Sequence, residues 1–235
     1  MATATDTFLH ERDELLKELG EVLVPQIALR LLRDGDVSTE GKTNDQIRAD
    51  VTLFLREAIK KKTLNVSIAI DHAIELLPEA RRLLRNGKNE LSAVYFATYF
   101  EHSLNWLIFQ ICESKKINAA TIKQVLRDTN MRAKCTWVMT LLGHKPFSKE
   151  KLRALEEIAE VRNAFIHYKW PLTELSEKES KAHGQILVKL RKAESLVRYL
   201  REFENDQLYK GRGRRLRKAL KTSSSATTQP KNSKR

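Results

Sequence analysis

A chain of 235 residues with 43 Lys and Arg against 30 Asp and Glu has room for one sizeable core, or for a core plus a smaller helical unit. Its formal charge of +13 belongs mostly to residues 207–235, which hold ten basic and no acidic side chains, so residues 1–206 are nearly neutral at 33 against 30. Two cysteines, Cys112 and Cys135, exclude a disulfide framework and fit a reducing compartment. Residues 1–11 lack the order of a leader peptide and no stretch nears ~18 uninterrupted apolar residues, which predicts a cytoplasmic protein with no membrane association.

Helix formers dominate, Gly (8) and Pro (5) are scarce, and no alternating apolar/polar run of useful length occurs, so the expected fold is all-α. Residues 8–33 read as an amphipathic segment broken at Pro25, and residues 35–44 as a polar loop. Ile47, Val51, Phe54 and Leu55 place a helix over 45–61, and Ile70, Ile74 and Leu77 another over 67–84. Residues 1–85 therefore form a helical N-terminal unit, which Arg85-Asn86-Gly87-Lys88-Asn89 separates from the second half of the chain. Gly41-Lys42-Thr43 looks like the end of a phosphate-binding loop, but Gly35 lies one residue too far upstream and no strand precedes it, so it reads as a plain loop.

Residues 90–113 are the most apolar helix of the chain. Leu91, Val94, Phe96, Phe100, Leu104, Trp106, Leu107, Ile108 and Ile111 leave little polar surface, and such a helix needs cover on nearly all sides. Glu101 and Asn105, four apart, share one of its faces and either line a polar pocket or meet solvent. A second helix, broken or whole, spans 119–142 and stops at Gly143-His144-Lys145-Pro146. Ser148 then caps a third, with Phe147 and Leu152 placed as a hydrophobic staple and Leu152, Leu155, Ile158, Ala159, Phe165 and Ile166 as its buried stripe up to Trp170-Pro171. Ser176-Glu177-Lys178-Glu179 opens a fourth that runs to about residue 206. Residues 88–206 thus make a four-helix domain. Residues 207–235 read as a disordered basic tail, in which Lys210, Arg212, Arg214, Arg215, Arg217 and Lys218 either add phosphate affinity or serve only solubility.

The third helix closes on Arg162-Asn163-Ala164-Phe165-Ile166-His167. Guanidinium holds a phosphate by paired hydrogen bonds and opposes the charge that builds up at phosphorus, while imidazole exchanges protons near neutrality, and RNA cleavage without a metal requires groups of these two kinds. Arg162 follows Leu155 and Ala159 along the helix, which leaves its stem at the edge of the apolar stripe. On an ideal helix Arg162 and His167 point about 140° apart, so either the helix unwinds near His167 or a symmetric dimer joins the Arg of one chain to the His of the other. The plainer alternative pairs Arg162 with Glu156 or Glu160 and leaves His167 as a helix-end residue. The remaining histidines and the two cysteines have no metal-ligand spacing, and neither a metal nor another cofactor is expected.

With its preceding Glu157-Ile158-Ala159-Glu160-Val161 and the apolar first helix bearing Glu101-His102-Ser103-Leu104-Asn105, this motif resembles the HEPN superfamily (higher eukaryotes and prokaryotes nucleotide-binding) over roughly residues 88–206. The resemblance implies an HEPN-like four-helix bundle and a homodimer acting as a metal-independent endoribonuclease. It also implies a place in toxin–antitoxin or anti-phage systems, with RNA as substrate and an antitoxin or sensor as possible partner. His167 would be the general acid/base, Arg162 the ligand of the scissile phosphate, and Asn163 the residue that orients phosphate or imidazole, with Glu101, Asn105 and Tyr168 supporting them. Other members are inactive, which keeps a non-catalytic RNA- or protein-binding module as the alternative. A related group of toxins carries, two residues after the His, a Tyr that its antitoxin modifies; Lys169 stands here, which puts that route in doubt.

Overall fold

A computed structural model describes residues 20, 21, 23–62, 73–167 and 177–221, and among these every regular element is helical, with no strand. The chain divides into two compact units. One joins the two ends of the sequence, Met1–Ile68 with Tyr209–Arg235, and the other is Ala69–Leu208. The boundary expected at 85–88 therefore falls earlier.

In the first unit, α1 covers the described residues of 20–34, α2 is Asn44–Lys60 and α11 is Gly213–Lys221. Described residues on both sides of Pro25 are helical, so α1 is not broken there. Proline removes one backbone donor, and burial of Ala28, Leu29, Leu31 and Leu32 beyond it offsets that loss. Thr43 starts α2 with a reciprocal capping box: its Oγ1 accepts from the Gln46 N–H and its own N–H donates to Gln46 Oε1. Ile47 and Val51 are buried, as their spacing predicts.

The expectation of a disordered tail fails over residues 207–221. Residues up to Tyr209 continue a helix of the second unit's sequence, and α11 packs on α2 with Leu216 and Ala219 fully buried. Arg48 on α2 donates to the Ala219 carbonyl, satisfying an acceptor that a helix end otherwise leaves orphaned. A low apolar fraction hid this helix. Its apolar residues are few, but they fall on one side at helical spacing, and α2 supplies the matching surface.

The second unit is built around α4 (Asn89–Ser114). Phe96, Phe100, Leu104, Leu107, Ile108 and Ile111 are buried on several sides, with Phe96 and Phe100 stacked at 6.2 Å and Tyr99 edge-on to Phe100 at 5.4 Å. Leu91 departs from the expected stripe and is exposed. α3 (Ala73–Arg85) packs along α4 instead of joining the N-terminal unit. The Ser92 hydroxyl donates to the Ala80 carbonyl, and Arg81 grips Glu194 through two bonds of 2.6 and 2.8 Å.

The helix expected over 119–142 is broken at Thr129-Asn130 into α5 (Ala119–Asp128) and a second rod. That rod comprises α6 (Met131–Ala133), a π-helical turn (Lys134–Val138) and α7 (Met139–Leu141). α8 (Lys149–Ile166) begins at Ser148, whose hydroxyl accepts from the Lys151 N–H, with Phe147 buried before it against Tyr199 and Phe203. The fourth expected helix is two, α9 (Glu177–Leu190) and α10 (Ala193–Tyr209), joined by a turn at Arg191-Lys192. No glycine or proline marks that turn. Tertiary ties set it: Lys192 binds Glu157 of α8 at 2.8 Å while Glu194, two residues on, is held by Arg81 of α3. No helix among the described residues is long and apolar enough to cross a membrane.

Candidate active site

α8 carries the Arg/His motif and is fixed against the unit by its own sequence. Leu152, Ala154, Leu155, Ile158 and Val161 are buried, and α4 lies along them. Two ion pairs set its azimuth: Arg132 of α6 binds Glu156 at 2.7 Å, and Glu157 receives Lys192, with Arg153 at 3.2 Å. The Lys192 ammonium, and less so Arg153, hold the Glu157 carboxyl below the usual range.

Burial ends at Val161. Phe165 and Ile166, expected in the stripe, are 36% and 51% exposed, because the last turn of α8 stands clear of the described neighbours. Arg162 sits at the limit of the buried surface with its side chain 24% exposed, the half-buried position that its place beside the stripe predicts. Its guanidinium pairs with neither Glu156 nor Glu160. One nitrogen donates to Glu101 of α4 at 2.9 Å, and Nε donates to Asn163 Oδ1 at 3.1 Å. Arg162, Asn163 and Glu101 therefore form one connected group across the α4–α8 contact.

His167 is the C-cap of α8. Its backbone N–H donates to the Asn163 and Phe165 carbonyls, and its φ of −95° and ψ of 16° leave the helical range without unwinding the preceding turn. The imidazole is exposed and shares no hydrogen bond with Arg162 or Asn163. Within one chain the structure thus gathers Arg162 and Asn163 with Glu101 but keeps His167 separate. Tyr168 lies outside the described residues.

Asn105, one turn beyond Glu101, has a buried Oδ1 with no donor. Sequence reasoning missed Lys134. It opens the π-helical turn, is 4% exposed, and lies in a rod that packs on both α4 and α8. Burial pulls its ammonium below the ordinary lysine range, and the Glu101 carboxylate works against that fall. Lys134, Val138 and Leu142 recur at i, i+4, i+8, and both partners are buried; a lysine on an apolar stripe was the available signal.

The basic residues expected to contact nucleic acid lie in the other unit. Lys210 occupies the left-handed region at φ 51°, Arg212 approaches Glu40 at 3.9 Å, Arg215 donates to the Lys42 carbonyl, and Arg217 lies over the Tyr209 ring at 5.8 Å. Arg214, Arg215 and Lys218 are exposed on the side of α11 away from Leu216 and Ala219. A shallow cleft of about 550 Å³ between α3 and α4, lined by Glu75, Leu76, Glu79, Tyr95, Thr98 and His102, includes none of the motif residues. No group of three or more His, Cys, Asp and Glu residues among the described residues is arranged to hold a metal ion.

The chain matches no family model, no curated protein and no solved structure.

Proposed function

We propose that this chain is a metal-independent endoribonuclease of the HEPN type, acting as a cytoplasmic homodimer in a toxin–antitoxin or anti-phage setting. An antitoxin or sensor protein would be its natural regulator. Arg162 binds the scissile phosphate and stabilises its transition state, and Asn163 holds the guanidinium in place. His167 takes the proton of the RNA 2′-hydroxyl or returns one to the leaving 5′-oxygen, giving a 2′,3′-cyclic phosphate and a 5′-hydroxyl.

One observation carries this reading: the α8 terminus presents a half-buried guanidinium, an exposed imidazole and the exposed apolar pair Phe165-Ile166 within six residues. Arg162 and His167 do not meet in one chain, so the cleft has to be completed by a second copy. Phe165 and Ile166 supply the apolar surface on which such a copy seats, and α8 would then set the Arg of one protomer against the His of the other. Purified protein should cut RNA in the presence of EDTA, with His167→Ala and Arg162→Ala each abolishing the cut while circular dichroism and dimer mass are retained. Cleavage undiminished in both variants removes the assignment.

The basic face of α11 favours a second reading, a non-catalytic RNA-binding module. Leu216 and Ala219 are taken up by the fold and are not free to enter a lipid surface, whereas Arg214, Arg215 and Lys218 face solvent as a phosphate-binding row. Replacing these three by Ala tests it without removing α11 from the core. Loss of most RNA affinity, with no cleavage by the unmodified protein, selects this reading over the first.

A further inference from the structure

Toward its C-terminal end α4 carries two large aromatic side chains that the core leaves half-buried. Trp106 and Phe109 stack on each other, ring centroids 5.6 Å apart and planes 19° from parallel, while Leu104, Leu107, Ile108 and Ile111 around them are buried. α5 packs beside this stretch, and between the two helices runs a groove of about 410 Å³, lined by Phe109, Ala119, Ile122, Lys123, Leu126 and Arg127. Ile122 is the one α5 side chain that the fold buries, so Leu126 and Phe109 keep apolar surface open to a further occupant.

Charge and shape narrow what that occupant is. Lys123 is exposed and makes no hydrogen bond or ion pair with any described residue, whereas Arg127 on the same rim is held by Asp128 at 2.7 and 3.3 Å. An uncompensated ammonium at the lip of an apolar groove selects a ligand that joins an anion to an apolar body. Phe109 belongs both to the stacked pair and to the groove wall, so a flat ring entering the groove extends an existing row of rings, which the branched side chains of a docking helix do not. The volume is that of a small-ligand site. Glu101, Asn105 and Phe109 follow at four-residue spacing, each about 40° round the helix from the last, which sets Phe109 about 12 Å along α4 from the carboxylate that accepts from Arg162.

We infer that the α4–α5 groove is a nucleobase subsite: it takes one unpaired base of a single-stranded RNA against Phe109, with Lys123 on that nucleotide's phosphate. This rests on RNA being the ligand of the α8 motif, and not on its being cut. Unpaired RNA is then the substrate class, because a base within a duplex has its faces already stacked and does not reach Phe109. Every base offers a flat face, so the groove sets the register of a strand against Arg162 by distance rather than by base identity.

The test uses the full chain and two fluorescent 2′-O-methyl oligonucleotides of equal length, one bearing bases and one abasic throughout, neither with a 2′-hydroxyl for attack. Affinity is measured by anisotropy over a salt series for the unmodified protein, Phe109→Leu, Lys123→Gln and, as a control, Lys88→Gln, whose exposed side chain stands at the other end of α4, about 30 Å along the axis. Urea unfolding of each is recorded alongside. The unmodified protein should prefer the base-bearing strand. Phe109→Leu, which stays apolar but loses the ring, should bind that strand at least about fivefold more weakly and the abasic strand unchanged. Lys123→Gln should weaken both strands and make the salt slope shallower by roughly 0.7, while Lys88→Gln should alter neither. Irradiating an iodouracil-bearing strand with the unmodified protein should crosslink it at Phe109 or Trp106; if Phe109→Leu proves unstable in urea, this crosslink and the slope change at Lys123 decide the matter. Equal affinity of the unmodified protein for the two strands, or a stable Phe109→Leu that binds the base-bearing strand unchanged, overturns the inference and leaves RNA binding at Arg162 standing. So does an amphipathic Leu/Glu peptide that displaces the base-bearing strand where the abasic strand does not, since the groove then belongs to a protein helix. Should the unmodified protein bind RNA without cutting it, the nuclease reading fails while a Phe109-dependent preference for bases still upholds the subsite; if it binds neither strand, both fall.

Discussion

Neutralising Glu101 is the sharpest probe of the site because one carboxylate holds the Arg162 guanidinium and counters the Lys134 ammonium. With Arg162 24% exposed and Glu101 43% exposed, the 2.9 Å contact lies between a surface pair and a buried one. Screening at that depth brings its contribution to about 1 kcal/mol, far below an unscreened Coulomb value. Glu101→Gln keeps the shape and one acceptor while leaving two cations with no shared counter-charge, so it should destabilise the second unit by about 1–2 kcal/mol, or roughly 2–5 °C in Tm. A double-mutant cycle isolates the pair: Glu101→Gln, Arg162→Met and the double variant, followed by urea unfolding at low and high salt, should give a coupling of about 1 kcal/mol that shrinks as salt rises. Zero coupling at low salt, or a stabilised Glu101→Gln, would refute the premise that this carboxylate organises the two cations.

Glu194 has its carboxyl depressed by hydrogen bonding to Arg81, so its contribution is present above the ordinary glutamate range and lost as pH falls through the lowered folded value. Stability of the second unit should therefore drop on acidification below about pH 4.5, and Arg81→Met, followed by urea unfolding across pH, should flatten that drop. Leu216→Ala empties a fully buried position under α11 and should cost about 2–4 kcal/mol in the first unit, seen as faster tryptic cutting at Arg214 and Arg215. Cys135, fully buried with its thiol pushed up to about 12, and Cys112, 1% exposed, should resist a thiol reagent until the chain unfolds, so native-state labelling should track unfolding in urea.

Much of this architecture was legible from periodicity. Ile47 and Val51 on α2, the Ser148 cap of α8 and the apolar run of α4 all rest on local pattern, and local pattern survives folding. The site was legible in part: Arg162 at the stripe's edge was readable, but its partner was not, because Glu101 lies 61 positions away and only the α4–α8 contact brings it near. Glu156 and Glu160 were the neighbours in sequence; Arg132 takes Glu156 instead. The turn at Arg191-Lys192 and the docking of α11 escaped for the same reason, since each is imposed by surfaces distant along the chain. Lys134 differs, for its burial was written in the spacing to Val138 and Leu142 but ran against the expectation that a lysine meets solvent.

The first unit draws its helices from both ends of the chain, which has a kinetic consequence. During synthesis α2 emerges early, whereas the helix that covers it appears only after the whole second unit has been made. In that interval the apolar flank of Ile47 and Val51 awaits cover, leaving a nascent chain that invites chaperones while the later unit matures ahead of the earlier one. Any truncation ahead of Gly213 would make that transient condition permanent.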